Sequence, residues 1–487
     1  MTSLYHPAGR LVWDTWTFQR DGKAHLIHLQ MRRPGTSLPD NEQCTLGHAI
    51  SDDLLHWQEL PMALRRGQPG SYDDGYIFTG CCVEHQGTNH LFYGSTHHDG
   101  TRIVSGMCLA TSRDGLTWEK HPANPLFEPD RRWYYTKDDP HAPFAFHNWP
   151  DVDCRDLCVV KDPGGAGWLG YVVMRRKGVP QLHSCCIALC RSTDLLRWEV
   201  GPPCCTPDRF TCFEVPDVFE LDGKWYMTAL TGDCYGQRER WSDPNIRHAT
   251  IVCEAESPLG PFLEVRDNLL LANNGYPFSQ GFSARSLLWN GERLTFYTRP
   301  EEGLSFGRVS WPVKLVPRPG GGLQPMYWSG QDKAFGPVRS TAPRVLRAEA
   351  GWQIEALPEY GTVTSGMIQA TVELRTAQAA GIVFNRESSA GFSHGLLALL
   401  DAGRGEVALL QLPGFLPLQQ RQWPVSRTGP HHLRVIFVDG MVEVYVDDVL
   451  ILNHFAANVV GGLTGLFIQD GEAAVQNITI SMRSTEG

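Results

Sequence analysis

The sequence predicts an all-β chain: a five-bladed β-propeller followed by a C-terminal β-sandwich. Three observations carry that prediction. First, a heptad ending in tryptophan recurs as SDDLLHW (51–57), SRDGLTW (112–118) and STDLLRW (192–198), with ESPLGPF (256–262) as a degenerate fourth copy. The copies begin 61, 80 and 64 residues apart, too far for a helical solenoid and suited to a propeller blade with long loops. Second, tight-turn sequences punctuate short apolar runs. Third, after PRPGGGLQPM (317–326) such runs continue without the heptad.

Each propeller unit reads as strand, turn, strand and third strand. The turns are RDGK (20–23), HQGT (85–88), DPGGAG (162–167), LDGK (221–224) and NGER (290–293). Asp-Gly and Asn-Gly are strong hairpin signals. The second strands are AHLIHLQ, HLFYGST, WLGYVVMR, WYMTAL and LTFYTR; the third strands run through GHAI, SGMCLA, CCIALC, ATIVCEA and FGRVSW. Five such units over residues 1–330 make the propeller domain. From residue 340 to 487 the strands make the sandwich domain. HHLRVIFVDGMVEVYVDDVLILN (431–453) alternates apolar and polar residues around Asp439-Gly440, and GLTGLFIQDGEAAVQNITISM (462–482) reads the same way around its own Asp-Gly pair. No helix of three turns or more is expected.

Composition narrows the function. The chain has 487 residues, 42% hydrophobic and 20% charged, an ordinary globular balance. Its formal net charge is −10 with no basic run, which argues against nucleic acid. No window approaches 18 consecutive apolar residues, so no membrane span is expected. The first residues lack a basic segment followed by an apolar core, so no signal peptide is expected. All fourteen cysteines lie between Cys44 and Cys253, several as adjacent pairs, and none in a C-x-x-C motif. Their strand-like context points to buried free thiols and hence to a cytoplasmic protein.

The innermost strand of each propeller blade lines the central channel, so function is sought as charge on the first strand of each unit. Blade one offers Asp14 in VWDTWTF. Blade two offers Asp73 and Asp74 ahead of GYIFTG, and blade three Arg155-Asp156 in CRDLCVV. Blade four offers Glu214 and Asp217 in CFEVPDVFEL, and blade five Arg285 in FSARSLLW. A lone buried carboxylate is costly unless paired or functional. Capping a turn or pairing with an arginine explains any single acid equally well. Three at matching positions in separate blades point to joint work. Two carboxyl groups flanking a sugar are the machinery of glycoside hydrolysis. One of them needs a raised pKa to act as the acid, which the apolar neighbours Phe213, Val215 and Pro216 would give Glu214. Trp13, Trp16 and Phe78 form an aromatic rim suited to sugar faces.

These motifs resemble clan J glycoside hydrolases, families 32 and 68, over nearly the whole chain. QCTLGHAISDDLLHWQELPMAL (43–64) resembles the end of family 32's first blade. RDL (155–157) resembles its arginine-aspartate-proline motif, FEVPDVFELDGKW (213–225) its glutamate-cysteine-proline-aspartate motif, and FTG (78–80) its tryptophan-serine-glycine element. VWDTW is closer to the family 68 form, valine-tryptophan-aspartate-serine-tryptophan. The resemblance implies Asp14 as nucleophile, Glu214 as general acid/base and Asp156 as transition-state stabiliser with Arg155 beside it. It implies a retaining mechanism that requires no metal or other cofactor. Gln30 matches a second-strand glutamine that touches the sugar, although a solvent-facing strand glutamine fits as well. Asp73 and Asp74 either bind sugar hydroxyls or cap a turn. Asp217 is expected to support the glutamate loop, and His48 and the His97-His98 pair to be structural.

Leu157 replaces the motif's proline, Leu46 a frequent tryptophan, and Thr15-Trp16-Thr17 the residues beside the nucleophile. These departures bear on which sugar the pocket takes. The expected partner is a small saccharide, sucrose or a short fructo-oligosaccharide; a homo-oligomer stays open. Three alternatives also stay open: another furanoside such as an arabinofuranoside, transfer of the fructosyl unit to an acceptor sugar, and a non-catalytic carbohydrate-binding propeller.

Overall fold

Four of the five first hairpins close on a two-residue turn with both residues in the left-handed region: Asp21-Gly22, Gln86-Gly87, Asp222-Gly223 and Asn290-Gly291. That is the turn whose twist matches paired strands, and it explains why glycine holds the second position. In blade three the longer DPGGAG loop spans from Lys161 to Trp168 instead.

A computed structural model describes residues 4–37, 44–98, 103–139, 152–180, 183–207, 210, 213–232, 246–274, 282–300, 307–386, 394–456 and 461–484. Blade one comprises β1 (Arg10–Arg20), β2 (Lys23–Arg32), β3 (Thr45–Ser51) and β4 (Gln58–Leu64). Blade two comprises β5 (Ile77–His85), β6 (Thr88–His98), β7 (Ile103–Ser112) and β8 (Glu119–Lys120). Blade three comprises β9 (Cys154–Lys161), β10 (Trp168–Arg175), β11 (Cys185–Ser192) and β12 (Glu199–Cys205). Blade four comprises β13 (Glu214–Leu221), β14 (Lys224–Gly232), β15 (Ile246–Ala255) and β16 (Leu263–Asn274). Blade five comprises β17 (Phe282–Trp289), β18 (Glu292–Pro300), β19 (Gly307–Val309) and β20 (Val313–Pro317). In blades one to four neighbouring strands pair antiparallel, while in blade five β19 and β20 both pair antiparallel with β18. The ring closes through β1, which pairs with β19 at Val12 and Gly307, and through a bridge between Tyr5 and Val309.

The heptad is a capped turn between third and fourth strands. Ser51 Oγ accepts from Leu54 N (2.8 Å), while Asp53 Oδ1 accepts from Leu55 N and His56 N (both 2.9 Å). Ser112 and Asp114, and Ser192 and Asp194, repeat the arrangement. Its fourth residue is left-handed each time, at Leu54, Gly115 and Leu195. The serine and aspartate recur because short side-chain oxygens satisfy turn N–H groups.

After β21 (Leu323–Met326) and β22 (Arg339–Ser340) come β23 (Arg344–Ala356), β24 (Gly366–Glu373), β25 (Ala379–Arg386), β26 (Gly395–Asp401), β27 (Glu406–Leu412) and β28 (Leu416–Gln422). β29 (Pro430–Val438), β30 (Met441–Val446), β31 (Val449–Phe455) and β32 (Leu463–Met482) complete the sandwich. Asp439-Gly440 is a hairpin turn, as the alternation predicts. The second Asp-Gly pair is not. Asp470 and Gly471 lie within the continuous β32, whose first half pairs with β25 and whose second half pairs with β24. Left-handed backbone at this pair (φ 45° and 112°) lets one strand serve both layers. Between the layers lies a core that includes Ile368, Phe384, Leu433, Val444 and Ile480.

The sandwich packs against the propeller through a shared apolar cluster. Tyr297, Trp311 and Val313 of blade five meet Met367, Ile436, Met441 and Leu450 of the sandwich. Such side chains contribute about 1.5–3 kcal/mol each when fully buried. Asp439 adds a polar tie, accepting from Leu4 N (3.0 Å) and facing Arg308 (3.6 Å) and Arg483 (2.5 Å). The twelve described cysteines are free thiols, all buried except the half-buried Cys82.

Candidate active site

One irregularity recurs in all five innermost strands. Each carries one residue more than its neighbour at the same end: between Val12 and Thr15, Phe78 and Gly80, Arg155 and Cys158, Glu214 and Asp217, and Phe282 and Arg285. A β-bulge re-aims the side chains it carries. Asp14, Thr79, Asp156 and Val215 occupy four of these bulges. Asp156 (φ 61°) and Val215 (φ 52°) take left-handed backbone, which costs roughly 1–3 kcal/mol per residue and concentrates at functional sites.

The bulges bring three blades' acids together. Arg155 Nη1 lies 2.6 Å from Asp156 Oδ2 and 2.7 Å from Glu214 Oε2, so one guanidinium nitrogen bridges blades three and four. Val215 N donates to the same Asp156 oxygen (3.2 Å). Arg285 Nη2 donates to the backbone carbonyl of Asp156 (3.3 Å). Thr79 Oγ1 donates to Asp14 Oδ2. Asp14, Arg155, Asp156, Glu214 and Arg285 are all buried.

Burial pushes the Asp156 carboxyl up to about 7; Arg155 opposes the rise, Glu214 and Asp14 add to it, and Arg285 opposes it. Asp14 therefore acts on the same site electrostatically. Behind Arg155 stands Asp153. Its Oδ1 faces Arg155 Nε (3.3 Å) and its Oδ2 faces Arg175 Nε (2.6 Å). Although burial works the other way, Arg175 and Arg155 hold Asp153 below the usual carboxylate range.

The structure redistributes the other sequence-derived candidates. Trp13 meets Phe78 edge-to-face at 6.4 Å, and Phe78 meets Tyr76 at 5.9 Å. Trp16 is not in that rim. It lies past the bulge, where the innermost strands continue the channel away from the acids, and it packs in the core of blades one and two. There it lines a cavity of about 420 Å³ with Cys81, Cys158, Asp217 and Arg285. Gln30 is buried rather than solvent-facing and donates to Thr45 Oγ1 (3.2 Å).

Asp73 and Asp74 are held within blade two, away from the acid cluster. Asp73 pairs with Lys120 and accepts from Tyr93 (3.3 Å) and Ser71 (3.2 Å); Asp74 pairs with His97 (3.0 Å) and accepts from Gly70 N (2.6 Å). Asp217 ties blade four to blade five by accepting from Ser286 N (2.8 Å) and Oγ (2.5 Å), rather than bracing the glutamate's own loop. His48 is buried against His25 (2.9 Å). The side chain of His98 lies outside the described residues. Around Glu214, the expected apolar neighbours are joined by the Arg155 guanidinium.

Sequence reasoning missed Thr79, Asp153 and Arg175. Thr79 stands inside the FTG element and Asp153 two residues before Arg155, so position alone could have flagged both. Nothing local announces Arg175, which reaches Asp153 across the β9–β10 ladder. Among the described residues no group of three or more His, Cys, Asp or Glu side chains is placed to hold a metal ion.

Known proteins share stretches of this sequence and its fold. Residues 28–260 match the family described as "Glycosyl hydrolases family 32 N-terminal domain". A sucrose-6-phosphate hydrolase of Escherichia coli is 29% identical over 209 residues, covering 40% of this chain and 37% of the relative. A raffinose invertase of Escherichia coli is 40% identical over 81 residues, covering 15% of this chain and 16% of the relative. The chain thus spans well under two thirds of these curated relatives. Among solved structures, a beta-fructofuranosidase of Bombyx mori aligns with a TM-score of 0.70 at 16% identity, covering 99% of this chain and 93% of that one. Fructan 1-exohydrolase IIa from Cichorium intybus aligns with a TM-score of 0.70 at 15% identity, covering 99% and 96%. At these identities the likeness is one of fold, and it runs the length of propeller and sandwich.

Proposed function

Because residues 28–260 match the N-terminal domain of glycoside hydrolase family 32, we propose that the chain is a retaining β-fructofuranosidase releasing terminal β-fructofuranosyl units from sucrose or short fructo-oligosaccharides. The observation that carries this reading is the convergence of Asp14, Asp156 and Glu214, from three blades, on one buried arginine-bridged cluster.

In this reading Asp14 attacks the anomeric carbon. Thr79 orients it by donating to one carboxylate oxygen. Glu214 protonates the departing glycosidic oxygen and then, as the base, activates the water that resolves the fructosyl-enzyme. Asp156 grips ring hydroxyls as charge develops. Trp13, Phe78 and Tyr76 present aromatic faces to the sugar's apolar side. The free thiols support a reducing compartment.

The test is a substrate panel: sucrose, sucrose 6-phosphate, inulin oligosaccharides and aryl arabinofuranosides, with the released sugar identified. Fructose release supports the proposal. Arabinose release reassigns the sugar, and oligosaccharide products at high sucrose indicate transfer. Sugar binding without turnover, unchanged in Asp14→Ala, would leave a binding propeller.

A further inference from the structure

Arg155 is a planar fork, so fixing one edge of its guanidinium fixes the direction of the other. Nη1 of that fork touches both Asp156 and Glu214. Nε, on the other edge, faces Asp153 Oδ1 at 3.3 Å. Asp153 is itself immobilised, because its second oxygen is 2.6 Å from Arg175 Nε. All four members of the line Arg175–Asp153–Arg155–Asp156 are buried, so these pairs are little screened by solvent. The line crosses from β10 to β9 and ends on β13 at Glu214, joining two blades.

We propose that Asp153, clamped by Arg175, is a positioning residue that sets the orientation of Arg155 and thereby of the Asp156 and Glu214 carboxyls that Arg155 bridges. The proposal rests on the hydrolase reading for its kinetic consequences, but its structural content stands apart from it. Asp153 meets no reacting atom; it acts through Arg155.

Charge counting gives the consequence. The groups facing Asp156 are Arg155, Glu214, Asp14 and Arg285. Those facing Asp153 are Arg155 and Arg175, with the Cys185 thiol within their field. Asp14, Asp153, Asp156 and Glu214 would carry four negative charges against three positive charges on Arg155, Arg175 and Arg285. The excess is relieved by a proton on Asp156, whose carboxyl is pushed up to about 7. Neutralising Asp153 removes that excess, and Arg155 then acts more fully on Asp156 and Glu214. The retained proton leaves at lower pH.

The test compares wild type with Asp153→Asn and, in case burial of an unpaired Arg175 compromises folding, with the double variant Asp153→Asn/Arg175→Gln. The first readout needs no turnover: carboxyl ¹³C NMR titration of protein labelled at aspartate. The high-pH aspartate titration should move down by about one unit in Asp153→Asn and by less in the double variant, where loss of the more distant Arg175 charge partly cancels the effect. The second readout is steady-state kinetics on whichever panel substrate wild type cleaves. kcat should fall by about 10²-fold with KM nearly unchanged, and the alkaline limb of the pH profile should shift down in step with the titration. An unmoved titration in folded variants overturns the proposal. Absence of wild-type turnover on every furanoside would sink the hydrolase reading instead, and the titration would still decide the role of Asp153.

Discussion

Arg155 Nη1 sits 2.7 Å from Glu214 Oε2, so the residue assigned to protonate the leaving group rests against a fixed cation. The contact aims the carboxyl and ties it to Asp156 through the same nitrogen. Replacing Glu214 by glutamine keeps the shape and removes the transferable proton. Turnover of sucrose should fall by about 10²- to 10⁴-fold, with an unchanged circular-dichroism spectrum. A substrate whose leaving group needs no protonation should lose much less. Equal losses on both substrates would take the acid role away from Glu214.

The pH profile should break near neutrality. Burial holds the Asp156 carboxyl at about 7, with Glu214 and Asp14 contributing, so Asp156 retains its proton up to about that pH. Deprotonation of Asp156 puts a new negative charge against the nitrogen that also holds Glu214, so kcat/KM should change as pH rises through about 7. A flat profile from pH 6 to 9 would contradict a titrating Asp156 at the site.

Thr79 donates to Asp14 from the neighbouring blade. Thr79→Val preserves the volume and deletes the donor. A hydrogen bond to a charged group contributes roughly 1.5–3 kcal/mol, so kcat should fall by about 10-fold or more. Thr79→Ser should recover most of the loss.

The boundary between propeller and sandwich carries its own titration. Glu443 of β30 is buried, receives hydrogen bonds from Tyr445 (2.6 Å) and from Tyr297 of blade five, and is pushed up to about 7 by burial. Its neutral form is the one the fold favours. The native state therefore holds more protons than the unfolded chain between about 4.5 and 7. Stability from this site is greatest at and below the lower value, declines as pH rises through the interval and levels off above about 7. The swing is on the order of 3 kcal/mol. Urea melts at pH 5 and pH 8 should show it as a difference between wild type and Glu443→Gln; parallel melts would contradict it.

Repeats, turns and alternation made the fold legible because each is a local signal. Asp21-Gly22 and Asn290-Gly291 announce hairpins by backbone conformation alone, and the Ser-x-Asp of the heptad by side-chain capping. Asp470-Gly471 misled because the same dipeptide also serves a bulge within one strand; only pairing with β24 and β25 distinguishes the two. At the site, Asp14, Asp156 and Glu214 stood out as charge inside apolar strands. Trp16 was misplaced because a one-residue bulge changes the register of everything after it. Asp73 resembled a ligand group until Lys120, 47 residues away, supplied its counter-charge. Arg175 was silent because its partner lies across a ladder and not along the chain.

The most direct measurement is to locate the covalent intermediate. Wild-type protein quenched in acid during turnover of a fructoside with a good leaving group should carry one hexosyl unit on the peptide that contains Asp14, and Asp14→Asn should carry none. A hexosyl unit on any other carboxylate, or an unmodified Asp14 peptide during rapid turnover, would contradict a nucleophile at the mouth of the blade-one bulge.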